Sequence, residues 1–137
     1  MGCVLRAIGT GFDVDGFLAD SGFEAPAVFR RGEDRMPGVP GSPKRAVSGF
    51  NLQVGPADLH DLAGQVRDAA GFLGHHEEEL RRLASYPGVE EVCLDFGVAR
   101  RDVAAQSDVF PADLLWRAGA LDIDLVVTHY AVAQQES

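Results

Sequence analysis

Two segments of the chain alternate between apolar and polar side chains, as half-buried strands do. In residues 46–54 and 89–98, every second residue is apolar from Phe50 and from Val92 onward. Because successive side chains of a strand point to opposite sides, each segment predicts a strand with one dry face and one wet face. The polar positions of these wet faces are Asn51, Gln53, Glu91 and Asp95.

Helical periodicity predicts a different structure for other parts of the chain. After Pro56, apolar residues recur at three- and four-residue steps, and Gly71 and Gly74 are expected to kink or break the helix before a second segment continues from His75. The motif Pro-Ala-Asp-Leu occurs at residues 56–59 and again at 111–114, and each copy is expected to begin a helix. The predicted helices cover residues 14–20, 56–74, 75–85 and 111–119. Trp116, on the last of them, is expected to pack in the core.

The remaining strands are predicted at residues 3–9, 27–31 and 123–132. The last has apolar residues on both faces, which indicates a central or doubly covered position. The element order then predicts a single α+β domain over residues 1–137. We expect a mostly antiparallel sheet of about five strands with helices mainly on one face. Its core would be ferredoxin-like (split β-α-β), with an added C-terminal helix and strand.

Glycine and proline interrupt the chain at residues 32–45, which predicts an exposed loop. The basic residues in and beside this loop are Arg30, Arg31, Arg35, Lys44 and Arg45. One interpretation is a mobile arm that grips an anionic ligand or an acidic patch on a second copy of the chain. The other, which we favour, is a solvated connector.

Charge is distributed unevenly along the sequence. Residues 1–49 contain six acids and six bases, so residues 50–137 carry the whole net charge of −9. A surface of that sign repels nucleic acid and anionic membranes and favours basic partners. The apolar runs are too short to span a membrane, and Cys3 and Cys93 lack a Cys-x-x-Cys spacing. We therefore expect a cytoplasmic protein with reduced thiols and no bound cofactor.

Several histidines and acids are candidates for chemistry. His75, His76 and Glu79 are a weak candidate for a metal site, but a closed zinc site needs about four ligands and the remainder are missing. A solvated helix face is the favoured interpretation there. His129 could pair with Asp95 as an acid and base if their strands were neighbours, although the alternation places the two on different faces.

The chain also resembles a family of small bacterial α+β proteins catalogued only as a domain of unknown function. The resemblance covers about residues 3–133. It rests on Gly22–Pro26 with Arg30–Glu33, on Ser48–Leu52, on the leucine-rich helix before Tyr86-Pro87-Gly88, and on Leu114–Tyr130. Relatives often have tryptophan at the position of Phe50. The resemblance implies a bacterial intracellular protein without an assigned activity and carries over no catalytic residue.

Two functions are consistent with these patterns. The first is a non-enzymatic protein-binding module that uses its acidic surface, one version being an immunity-type protein that neutralises a basic toxin. The second is a homodimeric small-molecule-binding protein or enzyme with its site on the wet face of the sheet. Its ligand-binding candidates are Asn51, Gln53, Asp95 and His129.

Overall fold

A computed structural model describes residues 2–24 and 26–131. Five strands and four helices follow one another in the order β-α-β-β-α-α-β-α-β. The strands are β1 (Cys3–Gly9), β2 (Ala27–Phe29), β3 (Ser48–Gln53), β4 (Glu91–Arg100) and β5 (Asp124–Ala131). The helices are α1 (Val14–Ala19), α2 (Leu62–His75), α3 (Glu77–Ala84) and α4 (Ala112–Ala120).

The strands form one mixed sheet in the order β2-β3-β1-β4-β5. The pairs β2–β3, β3–β1 and β1–β4 are antiparallel, whereas β4 and β5 run parallel. The α+β class is therefore confirmed, and the sheet is antiparallel everywhere except at its last strand. A parallel neighbour requires a crossover connection, and α4 supplies it between β4 and β5.

The helices cover one face of this sheet and enclose the core. Leu5, Phe50 and Leu94, at the centres of three neighbouring strands, are fully buried there. An aromatic cluster extends the core toward α1, where the rings of Phe17 and Phe50 stack with their centroids 6.1 Å apart. Burying such side chains contributes roughly 1.5–3 kcal/mol each.

The helix predicted from Pro56 begins six residues later, at Leu62. Asp61 is its N-cap, and the Asp61 carboxylate accepts a hydrogen bond from the amide of Gly64 at 2.9 Å. The chain does divide into two helices close to the predicted boundary, although α2 runs through Gly71 and Gly74 to His75. The chain leaves the helical conformation at His76, which ends α2 and precedes α3.

Two further expectations about the C-terminal part are wrong. β5 is an edge strand of the sheet and not a central one, and its apolar residues on the covered side meet α4. Trp116 does not pack in the core, since 72% of it is exposed. Leu114 and Ala118 occupy the buried positions of α4, and Trp116 lies on the opposite side of that short helix.

In the residues that the structure describes, no helix combines the length and the apolar character that crossing a membrane requires.

Candidate functional site

The sheet has one face that the helices leave uncovered, which we call the open face. Its members alternate with the buried core positions and share cross-strand rows with one another. They are Val4, Arg6, Ile8, Asn51, Gln53, Glu91, Cys93, Asp95, Asp124, Val126, Thr128 and Tyr130. The wet sides predicted for β3 and β4 thus belong to one continuous surface.

A row of hydrogen-bonded polar side chains crosses four strands at the centre of this face. Arg6 on β1 donates from Nε to Oδ1 of Asn51 on β3 at 3.0 Å, and from Nη2 to Oδ2 of Asp95 on β4 at 3.0 Å. Thr128 on β5 donates from Oγ1 to the other Asp95 oxygen at 2.7 Å. We call Asn51, Arg6, Asp95 and Thr128 the polar row. Each member is fixed by its neighbour, so the row is ordered before any partner arrives.

The Arg6–Asp95 ion pair is only partly shielded from solvent. The Arg6 side chain is 35% exposed and that of Asp95 is 14% exposed. Burial alone would lower the pKa of Arg6, but the hydrogen bond and charge of Asp95 outweigh it, and the pKa of Arg6 is raised. Arg6 therefore stays charged at every physiological pH, and its exposed edge presents a fixed cation that is paired with one acid, Asp95.

Cys93 lies beneath Arg6 and is 2% exposed. Its Sγ is 3.8 Å from Nη1 of Arg6. Burial raises the pKa of Cys93, although the charge of Arg6 opposes this, and burial likewise raises the pKa of Cys3. Cys3 points into the core on the other side of the sheet, and both thiols are free. The two cysteines therefore behave as buried protonated thiols.

The structure brings three of the four ligand-binding candidates onto the open face. Asn51 and Asp95 both contact Arg6, and Gln53 flanks Val4 from the neighbouring strand while donating to the carbonyl of Gly55 at 3.0 Å. His129 pairs with Val98 in the register and therefore lies on the helix-covered side, away from Asp95. The acid–base pair of Asp95 and His129 does not form.

Arg6 and Thr128, which complete the polar row, were not predicted from the sequence. Arg6 is the one charged residue of β1, whose other residues are apolar or glycine. Like Asp95 in β4, it lies between two buried apolar residues of its own strand. A lone arginine on the wet side of one strand and acids on the wet side of another were the signal that could have paired Arg6 with Asp95. Thr128 gave no such signal, because threonine is common in strands.

The predicted loop forms a hairpin whose two arms are paired by backbone hydrogen bonds. We call residues 30–45 the basic hairpin. Gly32 donates to the carbonyl of Arg45 at 2.9 Å, and Arg45 donates back to the carbonyl of Glu33 at 2.8 Å. Positive φ angles at Gly32, Gly38 and Gly41 allow its tight turns. Lys44 pairs with Asp34 across it. The five basic residues are therefore carried on a paired ladder.

Three contacts attach the basic hairpin to the domain, and in one of them the amide of Arg31 donates to Oγ of Ser48 on β3 at 2.9 Å. Arg30 forms a two-pronged ion pair with Asp15 of α1, at 2.7 and 2.9 Å. The Arg45 guanidinium lies 4.7 Å from the centre of the Phe29 ring. Phe29 shares a cross-strand row with Gly49 and Ile8, so Arg45 stands on the open-face side at the β2 edge.

Acidic side chains occupy the opposite lateral side of the same face. Glu91 begins β4 and Asp124 begins β5, and both are exposed. We call Glu91 and Asp124 the acidic corner. The register places Glu91 level with Ile8, toward the end of the sheet where the basic hairpin joins β2 and β3, and Asp124 level with Arg6 at the middle of β1. Charge on the open face is therefore polarised from side to side.

The weak metal candidates lie elsewhere, where α2 meets α3. The rings of His75 and His76 are 4.7 Å apart, and Nδ1 of His76 is 3.8 Å from Oε1 of Glu79. Glu79 also accepts a hydrogen bond from the amide of Gly22 at 2.7 Å, which ties α3 to the segment after α1. Across residues 2–24 and 26–131, no three His, Cys, Asp or Glu side chains are grouped as metal ligands.

Comparisons with protein-family models, with curated proteins and with solved structures found no match to this chain. The resemblance to bacterial proteins of unknown function stays a prediction. Function is therefore inferred from the geometry of the chain itself.

Proposed function

We propose that the chain is a protein-binding module that recognises its partner through the open face. The observation that carries this proposal is the polar row, which is hydrogen-bonded across four strands on a face without helices. Ordered polar groups lose little side-chain entropy when a partner binds, so they favour recognition.

The chemistry of the polar row supports binding more than catalysis. Both carboxylate oxygens of Asp95 already accept hydrogen bonds, from Arg6 and from Thr128. Arg6 keeps its proton because its pKa is raised. A general acid or base has to exchange a proton with a substrate, and neither group is suited to that.

The surroundings of the row have the composition of a protein interface. Val4, Ile8 and Val126 are half-buried apolar side chains beside it. Among the described residues, Glu91 and Asp124 have no ion-pair partner in their own chain. A partner with cations that reach the acidic corner and apolar groups that cover the centre would complement this face.

We also propose that β1–β4 form a ferredoxin-like core. The order β2-β3-β1-β4, with neighbours antiparallel and with helices in the connections from β1 to β2 and from β3 to β4, supports that assignment. β5 then extends the core by one strand, which widens the open face on its acidic side. Because this architecture hosts many activities, it does not indicate a function by itself.

The immunity-type version of this proposal requires a basic toxin as the partner, and a cytoplasmic location would suit it. The alternative small-molecule function requires an enclosed site. Gln53 lines a cleft of about 360 Å³ together with Phe23 and His76, and a second cleft of about 530 Å³ lies under the basic hairpin. Neither cleft is lined by a member of the polar row, so we favour a macromolecular partner for the row itself.

Affinity capture with matched charge variants tests the proposal. The wild-type chain is immobilised beside Asp124→Arg, which alters the open face, and Glu78→Arg, which makes a similar change on an exposed position of α3. We expect a partner that is retained at low salt by wild type and Glu78→Arg and is lost with Asp124→Arg or at high salt. Equal retention by all three chains contradicts the proposal.

A further inference from the structure

We infer that the partner of the open face is a second copy of this chain, packed face to face about a two-fold axis parallel to the strands. This inference rests on the proposed function, because it names the occupant of the same surface. Its basis is the placement of charge within the face. A two-fold axis parallel to the strands sets opposite charges of the two copies against each other, whereas a two-fold axis across the strands does not.

The two charged regions lie toward the same end of the sheet and on opposite lateral sides. The basic hairpin follows β2, and Arg45 stands over Phe29 on the open-face side. In the acidic corner, Glu91 lies in the same cross-strand row as Phe29, and Asp124 lies two residues, roughly 7 Å, further along the strands at the level of Arg6. Strands in a sheet are about 4.8 Å apart, so roughly 14 Å separates β2 from β4. Within one chain, the two regions cannot neutralise each other.

A two-fold axis parallel to the strands exchanges the lateral edges and keeps the ends of the strands level. It therefore sets the basic hairpin of one copy opposite the acidic corner of the other, and does so twice, as an isologous interface requires. An axis across the strands would keep the edges and exchange the ends. The basic hairpin of one copy would then face the β2–β3 edge of the other copy, at the end where Gln53 lies. The acidic corner is on the other lateral side, so the hairpin would meet no acidic partner there. Electrostatics selects the first arrangement.

The centre of the face also suits this axis. β1 is the middle strand of the five, so the axis runs along it. Val4 and Ile8, the half-buried apolar residues on either side of Arg6, would each meet the same residue of the second copy. Arg6 lies between them and is neutralised by Asp95 in its own chain. A paired charge is tolerated in an interface, whereas two unpaired arginines at the axis would repel.

The size of the face agrees with a stable dimer. Five strands at about 4.8 Å and a seven-residue central strand at about 3.3 Å per residue give a projected area of roughly 550 Å². Side-chain relief and the basic hairpin increase the accessible area beyond this projection. The total approaches the roughly 800 Å² per partner of a standard interface.

Mixing complementary charge variants tests this arrangement. Light scattering measures the mass of wild type, Arg45→Glu and Asp124→Arg, each alone and then with the two variants mixed at equal concentration. We expect wild type to be a dimer, each variant alone to be a monomer, and the mixture to be a dimer again. In the mixed dimer every facing pair is of opposite charge. The two substituted side chains face each other across one half of the interface, and the native Arg45 faces the native Asp124 across the other half.

Two control variants and a second measurement keep the test decisive if a variant folds poorly. Arg67→Glu on α2 and Glu78→Arg on α3 make similar charge changes on exposed residues of the helix layer and should remain dimers. Lys44 is the only lysine of the chain. Its amine is paired with Asp34 of the same chain. A carbodiimide reagent, which joins an amine directly to a carboxylate, should therefore give a Lys44–Asp34 link within one chain and, in the wild-type dimer, a second product that links Lys44 to Glu91 or Asp124 of the other copy. A mixture of ¹⁴N- and ¹⁵N-labelled chains should show that the link joins two molecules.

The outcomes separate this inference from the proposed function. A monomeric wild type overturns the second copy as partner, and the proposed function then stands or falls on the partner retained in affinity capture. A wild-type dimer that survives Arg45→Glu and Asp124→Arg, or folded variants that fail to combine, overturns the axis. Restored mass together with the Lys44 cross-link supports both the occupant and its orientation.

Discussion

Arg6 and Asp95 form an ion pair in the middle of the open face, where their side chains are partly shielded from solvent. Their charged groups are 3.0 Å apart, and Asn51 and Thr128 satisfy further hydrogen bonds on each side. A partly buried pair of this kind adds little net stability, because desolvation offsets much of the attraction. Its value lies in fixing the direction of both side chains on a surface that a partner meets.

A double-mutant cycle should measure this modest coupling. Arg6→Met and Asp95→Asn each leave the other residue without its charge partner, and we expect each to lower the free energy of unfolding by about 1–2 kcal/mol. The coupling energy should be about 1 kcal/mol, because Arg6 is one-third exposed and solvent screens the pair. Urea denaturation of the four chains provides the measurement. A coupling energy near zero would show that the pair is not formed in solution.

Glu90 provides a pH-dependent contact just before β4. Its carboxylate accepts hydrogen bonds from Thr10, from Oγ1 at 2.5 Å and from the backbone amide at 2.9 Å. These bonds favour the charged form and lower the pKa of Glu90. Because the pKa is lower in the folded state, the contact stabilises the fold above the unfolded-state value of about 4.3. That contribution is lost as the pH falls through the lowered folded-state pKa.

Thr10→Val should move this titration. The variant removes the hydroxyl and keeps the backbone amide, so the pKa of Glu90 should rise toward its ordinary value without reaching it. NMR titration of the Glu90 carboxyl carbon in both proteins gives the answer directly. Identical titration curves would mean that the Thr10 hydroxyl does not contact Glu90.

Helix starts show how far local sequence predicts an element. The motif Pro-Ala-Asp-Leu precedes α4 as expected, with Pro111 at its N-cap. The same four residues at 56–59 do not begin a helix, since α2 starts after Asp61. There, the amide of Ala57 donates to the Asp68 carboxylate and the carbonyl of Asp58 accepts from Gln65. Contacts with side chains several residues ahead override the local signal, and no four-residue pattern contains them.

Gln65 on α2 contacts both the segment before that helix, at Asp58, and strand β4, at Gly97. It is fully buried, and its Nε2 donates to the carbonyls of Asp58 and Gly97, both at 2.7 Å. Gln65→Met keeps the length of the side chain and removes the donor. The Gly97 carbonyl loses its bond to Gln65, whereas the Asp58 carbonyl still accepts from the amide of Asp61 at 3.1 Å. Among the described residues, Gln65 Oε1 is buried without a hydrogen-bond partner, and the variant removes that cost. We therefore expect a net loss of about 1 kcal/mol in the free energy of unfolding.

The matched control for Gln65→Met is the same change at an exposed glutamine. Gln53→Met should alter the free energy of unfolding by no more than about 0.5 kcal/mol, because Gln53 is exposed and its bond to Gly55 competes with water. Chemical denaturation of both variants makes the comparison. If Gln65→Met were as stable as wild type, the buried amide would not be what joins α2 to β4.

For the whole molecule, alternation predicted the class of fold and one face of the site. Asn51, Gln53 and Asp95 lie on the open face because the period of two in β3 and β4 is unambiguous. The position of β5 was missed, since apolar residues on both faces suit a central strand as well as an edge strand beside α4. The polar row needs the pairing of β1 with two other strands, which no single segment encodes.

The distribution of charge along the sequence differs from the distribution of charge on the folded surface. Along the chain, it separates a balanced first part from an acidic second part. In the folded protein, it becomes a polarity across one surface, with Arg45 at one edge and Asp124 at the other. The step from one to the other requires the strand order, because β2 and β5 come to opposite edges only in the completed sheet.

Exposure of open-face methyl groups to a soluble paramagnetic agent tests the central claim most directly. NMR relaxation of Val4, Ile8 and Val126 is recorded at concentrations where wild type is dimeric, and again in Asp124→Arg. We predict that these methyl groups are protected in wild type and become accessible in the variant, while exposed Val109 relaxes equally in both. Open-face methyl groups that are as accessible in concentrated wild type as in Asp124→Arg would contradict the account.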